Sequence, residues 1–126
     1  MTILYSVYSM AIFVKTNTPG LLIENIKKGI DEHRVNTWSI DPDGDYTHNT
    51  DQWRYRAWIR HKIEPGRVVF FVICRNDANM SVVEYAVYHG RFVEMLLTHF
   101  DTDCISIEVT PLATTYDSVV ASKKSE

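Results

Sequence analysis

Residues 67–75, RVVFFVICR, place seven apolar side chains in a row between two arginines, directly after the turn-like Glu-Pro-Gly at 64–66. The run is short and rich in β-branched and aromatic residues, so it reads as a strand. Successive strand side chains point to opposite faces, and here both faces are apolar. Any fold built on this segment must cover the sheet on both sides. Upstream, residues 53–60 alternate, with Trp53, Tyr55, Ala57 and Ile59 on one side and Arg54, Arg56, Trp58 and Arg60 on the other. That period of two predicts the second arm of a hairpin.

The remaining elements follow from the same patterns. Residues 4–15 read as a strand that is again apolar on both faces. A helix is predicted over 18–34, with Thr18 as N-cap, Pro19 in the first turn and Leu22, Ile23, Ile26 and Ile30 on one face. His33 and Arg34 are expected in its last turn, where cations suit the helix dipole. In VNTWSIDPDGDYTH, the Asp-Pro-Asp-Gly turn separates two short extended pieces. A second helix covers 81–100, opened by a Ser81–Glu84 capping box and a contact from Met80 to Tyr85. Its expected apolar arc is Val82, Tyr85, Ala86, His89, Phe92, Val93, Leu96, Leu97 and Phe100. CISIEVTPL supplies the last strand. The order β-α-β(β)-β-β-α-β predicts an α+β protein, a ferredoxin-like two-layer sandwich whose antiparallel sheet carries two helices on one face and an extra hairpin or meander. One domain is expected over 1–115, with 116–126 as a flexible tail.

Two helices cover one side of a sheet, so the second side needs another cover. The candidates are the C-terminal tail, the extra hairpin and a second copy of the chain. A homodimer packed through the second sheet face is the preferred expectation. With 13 basic and 16 acidic residues the net charge is −3, so nucleic acid or anionic lipid would have to be met by a local basic patch. The N-terminal apolar run lacks a basic leader and is interrupted by Tyr5, Ser6, Tyr8 and Ser9, unlike a signal peptide. No run is long enough for a membrane span. Cys74 and Cys104 have no metal or redox spacing and read as free thiols of a cytoplasmic protein, although each lies at the edge of a predicted strand, which leaves a disulfide open.

Three constellations carry chemistry. Asp41, Asp43 and Asp45, with His48 nearby, could converge oxygen ligands on a hard cation. The calcium-loop positions that want Gly and Glu hold Tyr46 and Gln52, so a solvated turn is the preferred reading and no metal or other cofactor is expected. His89, next to Gly90 on the apolar arc, needs a buried hydrogen-bond partner or else lines a pocket with Tyr85, Trp53 and His33 as an acid or base. Arg54, Arg56 and Arg60 around Trp58 could hold phosphates while the ring stacks a base, or could meet acidic groups at an interface. No nucleophile motif or phosphate loop is present. The expectation is a small non-enzymatic interaction or regulatory module that acts as a homodimer, with a protein partner conceivable. The alternative is a small-molecule-binding domain or enzyme using a pocket around His89, and nucleic-acid binding ranks last.

Overall fold

A computed structural model of the chain describes residues 11–50, 52, 57–75, 82–110 and 122–123. Strand β1 spans Ala11–Lys15, and the earlier part of the expected first strand lies outside the described residues. Helix α1 spans Pro19–Asp31 with proline in its first turn, where the missing N–H costs nothing. The Thr18 hydroxyl makes no cap. Its backbone N–H donates to the Thr16 hydroxyl at 3.1 Å instead.

α1 ends before His33, not beyond it. His33 sits at φ 61°, its N–H donates to the Ile30 carbonyl, and the Arg34 N–H donates to the Gly29 carbonyl. This is the Schellman arrangement, with histidine at the left-handed position that glycine usually fills. Val35 then folds back, and Gly29 leaves room for it. A Cβ on Gly29 would come within 3.1 Å of the Phe100 ring and 3.4 Å of Val35.

β2 (Trp38–Ile40) and β3 (Tyr46–His48) form the hairpin expected around Asp-Pro-Asp-Gly. Gly44 at φ 85° donates its N–H to the Asp41 carbonyl and closes the turn. β4 (Ala57–Glu64) pairs along its whole length with residues 67–74 of β5 (Arg67–Arg75). Pro65 followed by Gly66 at φ 75° makes the connection with type II turn chemistry. Helix α2 spans Val82–His99, a 3₁₀ turn covers Asp101–Asp103, and β6 runs Ser106–Val109. Six strands lie in the order β2-β3-β4-β5-β1-β6, with every neighbour antiparallel. β7, Ser122–Lys123, adds a short parallel pairing to Cys74 and Arg75 at the end of β5.

The molecule is thus α+β: an antiparallel sheet with two helices. β5 divides its apolar run between two cores. Val68, Phe70 and Val72 join Leu22, Ile23 and Ile26 of α1 and Tyr88, Phe92, Met95 and Leu96 of α2 in the larger cluster. Val69, Phe71 and Ile73 join Ala11 and Trp58 in a second cluster on the other face. Those five side chains are buried within a single protomer.

α2 is rotated from its expected setting. Tyr88 and Met95 point inward, whereas Ala86 and Leu97 are exposed and Val93 is half-buried. The helix carries apolar residues around most of its circumference, so spacing alone leaves several arcs acceptable. Packing selects the arc with the larger rings. Phe92 lies 4.7 Å from Phe70, 5.1 Å from Trp38 and 5.5 Å from Tyr46, ring centroid to centroid. Among the described residues no helix is long and apolar enough to cross a membrane.

Candidate functional site

The β2–β3 hairpin sets Trp38 opposite His48 in register, and their rings stack at 5.0 Å and 11°. Tyr88 of α2 meets both rings edge-on. The Thr37 carbonyl lies 2.9 Å from His48 Nδ1 and accepts its proton, because a carbonyl cannot donate. In the neutral ring this makes Nε2 the acceptor, and no hydrogen bond to it is found among the described residues. His48 is buried and borders a cavity of about 330 Å³, together with Thr37, Thr50, Gln52, Arg91 and Glu94. Thr50 Oγ1 is buried there with no hydrogen-bond partner. Across the opening Arg91 and Glu94 pair at 3.2 Å on the surface of α2. The cleft offers an imidazole acceptor, a hydroxyl, an amide and one charge of each sign. Such a rim can orient a small polar molecule.

The acidic loop has a different job. Asp41, Asp43 and Asp45 can bring one carboxylate oxygen each within 4.8 Å of the others. Asp41 Oδ1 already accepts the backbone N–H groups of Asp43 and Asp45, each at 3.0 Å. Asp45 is buried and grips Arg60 with both oxygens, at 2.8 and 2.9 Å. The guanidinium is held above its ordinary pKa range, chiefly by that hydrogen bond. A cation at the loop would have to displace or repel Arg60, so the three carboxylates fold a turn and balance an arginine.

On the helix side of β4, the Tyr46 hydroxyl lies 3.1 Å from His61 Nδ1. Burial pushes the tyrosine well above its usual range, with the charge of Asp45 adding to the shift. Tyr46 therefore keeps its proton, and which partner donates follows the tautomer of His61. Burial lowers the His61 pKa, Asp45 partly offsets this, and Lys27 and Arg60 reinforce it. The pair is a neutral structural bond. The Cys104 thiol donates to the Phe100 carbonyl at 3.3 Å, and burial raises its pKa to about 11, with Asp103 and Asp101 adding to it. It is a free and unreactive thiol.

The expected site residues are scattered. His89 is buried and partnered, and it does not line the His48 cleft, the hollow beside Gly90 or the cavity beside Phe13. His33 is exposed at the end of α1. Trp53, Arg54 and Arg56 lie outside the described residues, as does the side chain of Tyr85. Trp58 is fully buried in the second core, where no base can stack on it, and Arg60 spends its charge on Asp45 within the same protomer. Thr37, Thr50, Arg91 and Glu94 had no sequence signal, since they meet only in space. The Trp38–His48 pair did have one: both lie five residues from Asp43 at the centre of the turn. Comparison with protein-family models, with curated proteins and with solved structures finds no match to this chain.

Proposed function

We propose that this chain is a small non-enzymatic interaction or regulatory module that acts as a homodimer on an elaborated ferredoxin-like sandwich. The order β4-β5-β1-β6, antiparallel throughout with both helices packed in one core, supports that architecture, and the β2–β3 hairpin extends it at the β4 edge. The observation that carries the reading is α2. Besides the face it buries, it exposes Val83 at 61% and Leu97 at 57%, the two most exposed large apolar side chains among the described residues, and both on one helix. The dimer is assigned to this helix on those two side chains, and the second sheet face, apolar through Trp58, Val69, Phe71 and Ile73, is the other surface that could serve it. The interior supports a module that presents a surface: Asp45, Tyr46, His61 and Cys104 are all committed to structural bonds. A cytoplasmic location goes with the free Cys104 thiol, which a reducing compartment preserves. Light scattering on a sizing column tests the assembly. A mass near twice the 14.6 kDa of one chain supports it, and one chain's mass throughout a concentration series reaching about 1 mM, where any association stronger than roughly 4 kcal/mol would register, overturns it.

A second reading, binding of a small polar molecule, is favoured by the unpartnered Thr50 Oγ1 beside His48 in the cleft wall. Ligand-observed NMR with a panel of amino acids and hydroxy acids tests it, with Arg91→Ala as the control that should abolish any signal.

A further inference from the structure

The outward face of α2 has a symmetry that identifies its occupant. At 100° per residue, Gly90 lies at the centre of the exposed face, with Val83 and Leu97 two turns before and after it and Ala86 and Val93 along one side. Val83 and Leu97 are each seven residues from Gly90, in opposite directions. A two-fold axis through Gly90 therefore lays Val83 of one helix beside Leu97 of an identical antiparallel helix, and the reverse at the other end. Around Gly90 the surface is notched, with a hollow of about 270 Å³ bordered by Ala86, Val87, Arg91 and Glu94, and a Cβ added at Gly90 would meet nothing within 4 Å. That hollow lets a second backbone come close.

The charges agree with the same axis. Arg91 and Glu94 occupy one flank of the stripe, already paired at 3.2 Å and both exposed. With a rise of 1.5 Å per residue, the antiparallel copy sets each Arg91 about 7.5 Å along the axis from Glu94 of the partner subunit, within reach of two long side chains. Each guanidinium then lies between two carboxylates. A heterologous partner would have no reason to match a pattern that reads the same from both ends.

We propose that α2 is a self-association helix, pairing antiparallel with α2 of a second copy of this chain about a two-fold axis at Gly90. The inference rests on the homodimer reading above and specifies its interface. Isologous contacts of this kind are the commonest in homo-oligomers.

The test is a cysteine at the axis. Helices packed roughly 8–10 Å apart, with Cα atoms about 2.3 Å from each axis, bring the two Gly90 Cα atoms to about 5 Å, within the span of a disulfide. Gly90→Cys, mildly oxidised beside the wild-type chain as control for Cys74 and Cys104, is expected to form a covalent dimer that reduction reverses. Adding Leu97→Glu, an exposed change whose folding circular dichroism can verify, is expected to abolish that crosslink and return the sizing-column mass to one chain. A dimer by mass without the crosslink refutes the α2 interface and leaves the homodimer standing. A monomer at every concentration refutes both. A crosslink that survives Leu97→Glu reports random collision and also refutes the interface.

Discussion

The setting of α2 can be tested by truncating two of its residues, Met95 and Leu97, in separate variants. The spacing of apolar residues puts Leu97 inside and leaves Met95 out, and the structure reverses them: Met95 is 4% exposed and Leu97 57%. Replacing a buried methionine by alanine removes its transfer free energy and leaves a cavity, for a loss of about 2–5 kcal/mol. An exposed leucine truncated on a helix surface changes stability by about 0.5 kcal/mol or less. Alanine's helix propensity is slightly favourable in both, so it does not separate them. For a chain of this length each kcal/mol moves Tm by roughly 3–5 °C, so Met95→Ala is expected to melt about 10 °C lower and Leu97→Ala within about 2 °C of wild type. Urea titrations followed by circular dichroism at low micromolar concentration give the free energies directly. Concentration adds a second reading. If α2 pairs with its copy, the Leu97→Ala deficit grows as protein is added, because association stabilises only the folded wild type. Equal losses in the two variants at low concentration, or a larger loss at Leu97, would refute the rotation and with it the exposed stripe.

Two further outcomes follow from local geometry. His33 holds a left-handed backbone at φ 61° at the end of α1, so His33→Gly should raise the unfolding free energy by about 0.5–1 kcal/mol in the same titration; no gain would mean that the histidine ring makes compensating contacts. His61 has its pKa lowered in the fold, chiefly by burial, so the unfolded chain binds the proton more readily. The contribution of neutral His61 is fully present above the unfolded pKa of about 6.5 and is lost as pH falls from there through the folded value. Melting temperature should therefore decline below about pH 6.5, and His61→Gln should flatten that decline. An unchanged slope would assign it to other groups.

Much of the architecture is legible in the chain because its signals are local. Pro19, the Asp-Pro-Asp-Gly turn and the Pro65-Gly66 turn act through their own backbone angles, and each punctuates the fold where it was expected. The alternation from Ala57 to Arg60 survives as well, with Ala57 and Ile59 in one core and Trp58 in the other. The candidate site was far less legible. Asp41, Asp43 and Asp45 look like cation ligands until Arg60, fifteen residues beyond Asp45, closes on the last of them. His48 becomes the wall of a cleft only when α2 brings Arg91 and Glu94 across from it.

Residue order alone determined that β5 must be buried on both faces, since seven apolar side chains at a period of two leave no wet side. Which groups meet those faces, and which side of α2 is left to water, was decided by tertiary packing. A helix apolar around most of its circumference can be docked in several rotations at similar hydrophobic gain. The contacts of Phe92 with Phe70, Trp38 and Tyr46 choose one of them, and those rings come from β5 and the β2–β3 hairpin, more than twenty residues upstream of Phe92.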